Sequence, residues 1–272
     1  MRRFTTSYSR LVGVLTMGGA EPIPSRVMNQ LHTTDADNQA YYDDFSDWYE
    51  RERGRDYHQM LDDLELRVAA PLAIGRHVLE VGCGTGLILG RLAQHADSAW
   101  GVDLSPGMVR MAKERGLKVV LGSTTDLPFA DASFDLVCSF KVLAHVPNIG
   151  RALSEIARVT KPGGQMVLEF YNPLSLRYLA KRLAGPRPIS EGRTEADVYT
   201  RWDAPHVLPR LLPPGVELEG LRGVRVFTPA AFVHKFPWVA RTLGLAEQLA
   251  LDSPLRYFGG FLIAILRKRN AG

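Results

Sequence analysis

The feature that most constrains the fold is the segment 77–93, where an apolar run passes through a glycine-rich turn into a helical pattern. The run covers residues 77–81, and glycines at alternate positions fill the turn at 82–86. Glycines let the chain turn sharply and let a ligand lie against the backbone. The segment therefore predicts a strand, a turn and a helix that cradle a nucleotide. A tight strand-to-helix connection without a ligand is the alternative.

A second apolar run, residues 99–104, carries an acid near its end, Asp103, which follows Glu80 by 23 positions. In doubly wound α/β folds an acid at the end of the second strand binds ribose hydroxyls, since a carboxylate accepts two hydrogen bonds from a cis-diol. The alternative places Asp103 beside the helix cap formed by Ser105 and Pro106, and both assignments can hold. Together the glycine turn and the acid predict an adenosine-binding site.

Four motifs follow one another along the chain, namely EVGCGTG, GVDLSPGMV, LPFADASFDLV and LSEIARVTKPGGQMVLEFYNP. In this order and spacing they resemble the class I S-adenosylmethionine-dependent methyltransferases, and most of all the small-molecule branch that includes the ubiquinone and menaquinone C-methyltransferases. The resemblance covers roughly residues 40–172 and fades after Pro173. It implies an α/β, Rossmann-like seven-stranded methyltransferase sheet in the order 3-2-1-4-5-7-6, with helices on both faces.

The same resemblance implies S-adenosylmethionine as the cofactor and S-adenosylhomocysteine as the product. It places the methionine end at Glu80 and the glycine turn, the ribose at Asp103, and the adenine between Leu104 and Met108. The cofactor-binding residues expected on this basis are Tyr42, Glu80, Gly82, Cys83, Gly84, Gly86, Asp103, Leu104, Met108, Ser123, Thr124, Phe140 and Lys141.

Ser123 departs from the family pattern, in which this position usually carries an aspartate that accepts a hydrogen bond from the adenine amino group. A serine oxygen also accepts, though without the charge that strengthens the bond. Backbone groups of Thr124 and Thr125 are an alternative for this contact.

The predicted catalytic candidates are His145, which follows the fourth strand, and Tyr171, which is the last residue of the fifth. In open α/β sheets ligands lie beyond the carboxyl ends of the strands, so these residues should meet the glycine turn in one crevice. Imidazole titrates near neutral pH, which suits a general base. The alternative for His145 is a structural role beside the cofactor, and Lys141 either holds an anionic substrate or points to solvent.

The chain is expected to form a mobile tail over residues 1–35 and one methyltransferase domain over residues 36–272. Within that domain we expect a helical lid at 36–73 and substrate-side insertions at 174–257. A turn at 161–164 should precede a strand at 165–171, a short strand should lie near 199–202, and strands 216–227 and 258–268 should form an antiparallel pair. Between these last strands, apolar residues at helical spacing predict core packing, with an apolar pocket or membrane-surface patch as the alternative: Phe232, Phe236, Trp238 and Leu243.

Composition limits the other classes of protein. The net charge of +4 comes from interspersed acids and bases, which makes nucleic acid an unlikely partner. Two cysteines support neither a disulfide framework nor a metal site, and the fold type is a cytoplasmic one.

The sequence therefore predicts methyl transfer from S-adenosylmethionine to an O, N or C nucleophile of a small molecule of aromatic, quinone-like or lipid-like character. Peripheral membrane contact is compatible with this prediction, and the oligomeric state stays open. The alternatives are a nucleic-acid methyltransferase, a non-catalytic S-adenosylmethionine-binding module and an NAD-dependent oxidoreductase. The 82-84-86 glycine spacing argues against the last of these, because dinucleotide folds use G-x-G-x-x-G.

Overall fold

The structure, a computed structural model, describes residues 56–184, 188–190, 193–194, 199–228, 233 and 236–270. The predicted tail and the first part of the predicted lid, including Tyr42, lie outside these residues.

Helices and strands alternate through the first part of the described chain, as the α/β prediction requires. In chain order the elements are α1 (Asp56–Ala73), β1 (His77–Val81), α2 (Leu87–Leu92), β2 (Ser98–Asp103), α3 (Pro106–Glu114), β3 (Val119–Leu121), β4 (Phe134–Ser139), α4 (Ile149–Val159), β5 (Thr160–Tyr171), α5 (Leu176–Ala184), β6 (Pro188–Ser190), β7 (Arg193–Thr194), α6 (Leu208–Leu211), β8 (Val216–Val224), α7 (Pro237–Ala250) and β9 (Phe261–Lys268). Short 3-10 helices lie at Leu143–His145 and Pro254–Phe258.

Seven strands form the main sheet in the order β3-β2-β1-β4-β5-β9-β8. The first five strands are parallel, β9 is antiparallel to β5, and β8 is antiparallel to β9. This confirms the predicted order 3-2-1-4-5-7-6. Chain order reverses at β1, which lies between β2 and β4, and such a switch point leaves a crevice beyond the strand ends.

Side chains that alternate along each strand pack into two core layers on opposite faces of the sheet. Leu79 and Val81 join the layer covered by α4 and α6, whereas Val78 joins the layer covered by α1 and α2. Helices on both faces were therefore predicted correctly.

The start of α3 follows its sequence signature. The Ser105 hydroxyl accepts a hydrogen bond from the Met108 backbone N–H at 3.1 Å, and Pro106 occupies the first turn. A capped helix beginning here fixes the end of β2 and therefore the position of Asp103.

The prediction of a separate turn at 161–164 is wrong, because β5 already begins at Thr160. Pro162 has no N–H to donate and Gly163 has a φ of +75°, so this stretch is an irregular part of the strand. The pairing of β4 with β5 shifts register between Phe134 and Leu136, which accommodates the irregularity.

The prediction of a short strand near 199–202 is also wrong. The Arg201 backbone N–H donates to the Ala144 carbonyl at 2.8 Å, but the described residues form no ladder here. The Arg201 guanidinium instead pairs with Asp203, and the Asp203 backbone N–H donates to the Tyr171 carbonyl at 2.8 Å, which holds this irregular segment against the end of β5.

The pairing of β8 with β9 confirms the predicted antiparallel arrangement, but their connection is long and contains α7. The prediction that apolar residues of this connection pack in the core is wrong for two of them. The Phe236 side chain is 56% exposed and that of Trp238 is 73% exposed, while Leu243 is half-buried. Phe232 lies outside the described residues.

Candidate functional site

A cavity opens where the carboxyl ends of β1, β2 and β4 meet. It contains about 980 Å³ of empty space, part of which is open to solvent. The lining residues are Glu80, Gly82, Cys83, Gly84, Leu87, Ile88, Val102, Asp103, Leu104, Met108, Gly122, Ser123, Thr124, Phe140, Lys141, Val142, His145 and Val146. Its position at the switch point is the one that ligands occupy in open α/β sheets.

The glycine turn between β1 and α2 forms one wall of the cavity. Gly82, Gly84 and Gly86 have positive φ values of 73°, 54° and 83°, which residues with a Cβ rarely adopt. A Cβ at Gly82 would lie 2.2 Å from Cγ2 of Val142. The turn therefore needs glycine both for its backbone and for its close contact with the loop after β4. Gly86 caps α2 and is not among the lining residues.

The Asp103 carboxylate ties the glycine turn to the start of α3. Its Oδ2 accepts the Gly84 N–H at 2.8 Å, and its Oδ1 accepts the Ser105 N–H at 3.0 Å. These backbone donors fix the orientation of the carboxylate at the cavity wall. Each carboxylate oxygen can accept more than one hydrogen bond, so the group can still receive the hydroxyls of a ribose.

The residues present fit the cofactor that the resemblance implies. The turn offers bare backbone at Gly82 and Gly84, and Glu80 supplies a buried carboxylate at the end of β1. Leu104 and Met108 supply apolar surface beyond Asp103. An acid for a ribose lies between a region suited to an amino acid and one suited to a base, which is the layout that S-adenosylmethionine requires.

Ser123 lines the cavity, although its hydroxyl also has partners within its own loop. The Ser123 oxygen accepts the Thr125 N–H at 3.2 Å and lies 2.9 Å from the Thr125 hydroxyl. Thr124 lines the cavity beside it. The adenine edge of the expected site therefore meets a hydroxyl and backbone groups where the family usually has a carboxylate.

Two roles were considered for Lys141 from the sequence, holding an anionic substrate and pointing to solvent. The structure shows neither of them. The Lys141 Nζ lies 3.0 Å from Asp62 Oδ1 and 2.7 Å from Glu65 Oε2, so the ammonium group is paired with α1. The φ of Lys141 is +61°, an uncommon value for a residue with a side chain. Lys141 therefore lines the cavity while its charge holds α1 against the loop after β4.

Glu169 extends this charged group into the sheet. Burial raises the pKa of its carboxyl well above the ordinary value, and the neighbouring Glu65 charge adds to the effect. The carboxyl with this raised pKa lies next to the Lys141–Glu65 pair.

His145 lines the cavity, whereas Tyr171 lies beside His145 and is not among the lining residues. The His145 Nδ1 lies 2.9 Å from the Tyr199 carbonyl, which can only accept, so Nδ1 carries the proton. The Tyr171 hydroxyl lies 3.4 Å from the His145 Nε2. Burial, followed by the Arg177 and Lys181 charges, lowers the pKa of His145 to about 4, against the effect of the Tyr199 carbonyl, so its ring is neutral at neutral pH.

An arginine–aromatic cluster next to Tyr171 was not predicted as part of the site. It consists of Arg177 on α5 and the rings of Tyr171, Trp202 and Phe261, whose centroids lie 4.2, 5.1 and 4.6 Å from the guanidinium carbon. The sequence showed Arg177 only as one residue of a basic helix. Its partners come from three separate stretches of the chain, so no local pattern could have identified the cluster.

Val142 and Val146 also line the cavity without having been predicted, because they flank the 3-10 helix rather than a strand end. The part of the chain that the structure describes has no group of three or more potential metal ligands. Its helices include none that is long and apolar enough to cross a membrane.

Residues 79–168 match the protein family described as "Methyltransferase domain". A demethylmenaquinone methyltransferase of Tropheryma whipplei is 39% identical over 124 residues, which are 40% of this chain and 52% of that protein. The chain thus spans about half the length of this curated relative.

Solved structures share the fold over a larger part of the chain. An S-adenosylmethionine-dependent methyltransferase of Thermotoga maritima, described as a possible histamine N-methyltransferase, has a TM-score of 0.64 at 21% identity and covers 85% of this chain and 99% of its own. A Haloferax volcanii protein, solved in complex with the Trm112 methyltransferase activator, has a TM-score of 0.60 at 25% identity and covers 85% and 98%. Both share the Rossmann-like architecture of this chain.

Proposed function

We propose, from the premise that this chain carries a class I S-adenosylmethionine-dependent methyltransferase domain, that it transfers the methyl group of S-adenosylmethionine to a small-molecule acceptor. The observation that carries the proposal is the Asp103 carboxylate, held by two backbone N–H groups beside a glycine turn at the sheet's switch point. S-adenosylhomocysteine would be the product.

The cofactor supplies a methyl group that is already activated by the positive sulfonium, so the protein mainly has to bind and orient the two reactants. Glu80, the glycine turn and Asp103 would hold the cofactor. Phe140 and His145 lie at the same cavity, toward β4 and β5, where an acceptor would approach. The wall there is largely apolar, which favours exclusion of water from the acceptor.

His145 and Tyr171 are the residues we propose for the acceptor's proton. The neutral His145 ring has its Nε2 lone pair directed to the Tyr171 hydroxyl, so an acceptor that displaces this contact would find a weak base. A weak base is sufficient when the leaving group is neutral and activated.

We propose an apolar acceptor, aromatic, quinone-like or lipid-like, and peripheral contact with a membrane from a cytoplasmic location. The curated relative is named for a methyl transfer to a menaquinone precursor. In this chain, α5 turns Leu176, Leu179 and Leu183 toward solvent, although an apolar stripe on a helix normally faces the core. Exposed leucines beside Lys181 and Arg182 suit a lipid surface.

Two alternatives receive less support. No described residue of the segment 174–257 lines the cavity, so the described part of this segment does not fill the site as a non-catalytic binding module would require. A nucleic-acid methyltransferase would need a continuous basic face on α5. Its Arg177 faces aromatic rings and its exposed face carries leucines.

Calorimetric titration with S-adenosylmethionine, and separately with NAD, tests the cofactor. We expect S-adenosylmethionine to bind and Asp103→Ala to weaken binding about 10–100-fold, because hydrogen bonds to a charged group contribute about 1.5–3 kcal/mol. The matched control is Asp252→Ala, which removes an exposed acid that does not line the cavity. Binding of NAD alone, or an equal loss in both variants, would contradict the proposal.

Co-sedimentation with vesicles of phosphatidylcholine and phosphatidylglycerol tests the membrane contact. We expect Leu179→Gln with Leu183→Gln to reduce the bound fraction while leaving the affinity for S-adenosylmethionine unchanged. The control is Leu255→Gln, an exposed leucine on a different element. Equal binding by all variants would exclude α5 as the contact.

A further inference from the structure

We infer that Lys141 is a positioning residue for the cofactor. Its ammonium group, anchored on α1, holds the chain after β4 in the shape that brings Val142 against the glycine turn, and this contact fixes one wall of the cofactor cavity. The inference rests on the proposed function, because the wall it concerns is the one that S-adenosylmethionine would contact.

The first observation is the backbone conformation of Lys141. Its φ of +61° lies in the left-handed region, which residues with a side chain seldom adopt. Such a conformation costs free energy and persists only where the surrounding structure enforces it. Glycine is the residue that adopts it without strain, so a lysine at this position requires contacts that hold it there.

The second observation is the face of the sheet to which Lys141 turns. Leu136, Cys138 and Phe140 all belong to the core layer covered by α1 and α2. Successive side chains of an extended chain point to opposite faces, so an extended continuation would direct residue 141 to the other layer. The Lys141 ammonium group instead reaches α1, and Val142 packs against the layer covered by α4. The left-handed conformation therefore accompanies the change of face at Lys141.

The third observation is the anchor on α1. The Lys141 Nζ pairs with Asp62 and with Glu65, and all three side chains are largely buried. Water and salt screen such a group less than they screen a surface pair, and removal of one partner leaves the others without compensation. Glu169 lies beside Glu65, and the Lys141 charge acts on its pKa against the effect of burial. These contacts oppose the cost of the strained backbone.

The fourth observation is what the conformation does to the cavity wall. A Cβ at Gly82 would lie 2.2 Å from Cγ2 of Val142, so Val142 packs directly on the glycine turn. The His145 N–H donates to the Val142 carbonyl at 2.8 Å, so the position of Val142 also sets the start of the 3-10 helix. Lys141, Val142 and His145 all line the cavity. A change of direction at Lys141 would therefore move this wall.

A direct role of the Lys141 charge in binding the cofactor makes the opposite prediction. Neither Asp62 nor Glu65 is among the residues that line the cavity. If the ammonium group were itself a ligand, removing the Asp62 charge would release it toward the cofactor and binding would not weaken. If Lys141 acts through the backbone, loss of the Asp62 charge loosens the anchor and weakens binding.

The test is calorimetric titration of the full-length protein with S-adenosylhomocysteine, using Lys141→Ala and Lys141→Gly as a matched pair. Both variants lose the charge and the stem, but only glycine adopts a left-handed φ without strain. We expect Lys141→Ala to weaken binding about tenfold or more and Lys141→Gly to recover about threefold or more of that loss.

A second matched pair lies on α1. We expect Asp62→Asn to weaken binding about three- to tenfold, because the anchor loses one of its two acids. Asp63→Asn is the control and should bind as wild type, since Asp63 is exposed and pairs with Arg91 at the surface. If Lys141→Ala fails to fold, Asp62→Asn carries the test, because Glu65 remains paired with Lys141.

Amide hydrogen exchange of the cofactor-free protein measures the wall itself. The His145 N–H, which donates to the Val142 carbonyl, should exchange about tenfold faster in Lys141→Ala and in Asp62→Asn, and unchanged in Asp63→Asn. Unfolding midpoints are measured on each variant. A role in stability alone would lower the midpoint of unfolding and leave the affinity of the folded protein unchanged.

Unchanged affinity in Asp62→Asn and in both Lys141 variants would overturn the inference. Equal weakening by Lys141→Ala and Lys141→Gly, with wild-type affinity in Asp62→Asn, would also overturn it and assign the charge to the cofactor. Failure of the wild type to bind S-adenosylhomocysteine would sink the proposed function and this inference together, so the wild-type titration distinguishes the two failures.

Discussion

The cofactor region, residues 77–146, and the carboxyl-terminal region, residues 172–260, differ in how they treat their apolar side chains. Fourteen large apolar side chains are exposed among the described residues, and thirteen of them follow residue 172. The other is Ile74, before β1. The cofactor region buries its apolar residues against the sheet, while the carboxyl-terminal region presents many of them to the surroundings.

Charge divides in the same way. Residues 173–260 contain twelve Lys or Arg and eight Asp or Glu, an excess of four that equals the net charge of +4 for the whole chain. The two regions therefore have different physical tasks. Under the proposed function, the first would hold one geometry around a fixed cofactor, whereas the second would present an apolar, positively charged surface to the acceptor.

A pair of leucine truncations would break this comparison most directly. Leu153 of α4 is buried in the core, and Leu183 of α5 is 80% exposed. We expect Leu153→Ala to lower the free energy of unfolding by about 2–5 kcal/mol and Leu183→Ala to change it by less than about 0.5 kcal/mol. Urea unfolding measures both. A large loss for Leu183→Ala would show that the surface of α5 is covered in solution.

A pair of glycine substitutions probes packing around the cofactor region. A Cβ at Gly101 would lie 2.6 Å from the Cys83 Sγ and 2.7 Å from Leu89 Cδ2, so Gly101→Ala should cost about 1–3 kcal/mol. Gly244 in α7 has no atom within 4 Å of the same point, so Gly244→Ala should stabilise by about 0.5–1 kcal/mol. Thermal unfolding of the two variants checks the opposite signs, and equal effects would remove the contrast between the regions.

The pH dependence of stability sharpens the comparison where the two regions meet at His145. Its folded pKa of about 4 lies below the unfolded value of 6.5, so the unfolded chain binds more protons between these values. Stability should therefore fall as the pH drops from 6.5 toward 4, by about 2–3 kcal/mol from this group.

His145→Asn should remove that part of the slope, and urea unfolding at several pH values between 4.5 and 7 measures it. His95→Asn, at an exposed histidine of the cofactor region, is the control. A slope unchanged in His145→Asn would show that the ring titrates as it does in the unfolded chain.

Prediction from sequence succeeded where a short motif sets the backbone conformation of its own residues. The glycines between β1 and α2 are required by positive φ values, and the Ser105–Pro106 start of α3 by unpaired N–H groups. Prediction failed where the outcome depends on contacts between residues far apart in the chain. The exposed side of α7 has the same apolar spacing as a buried helix, and only its packing decides whether Trp238 faces the core.

The candidate site also has a part that was predictable from local motifs and a part that was not. Most of the expected cofactor residues lie around one cavity because their motifs follow adjacent strand ends, although their roles remain predictions. Lys141 shows the limit of that argument, since its charge goes to Asp62 and Glu65, which precede it by 79 and 76 positions. No pattern around Lys141 could indicate this pairing.

The sequence by itself predicted the glycine turn between β1 and α2 and the start of α3, because short motifs fix backbone turns, and its resemblance to the methyltransferases implied the strand order. Only the tertiary structure decided what lies beside Tyr171. Arg177, Trp202 and Phe261 come together from α5, an irregular segment and β9, and they meet Tyr171 only because β9 pairs with β5. Contacts between residues so far apart in the chain depend on how the sheet closes, and local sequence does not encode that closure.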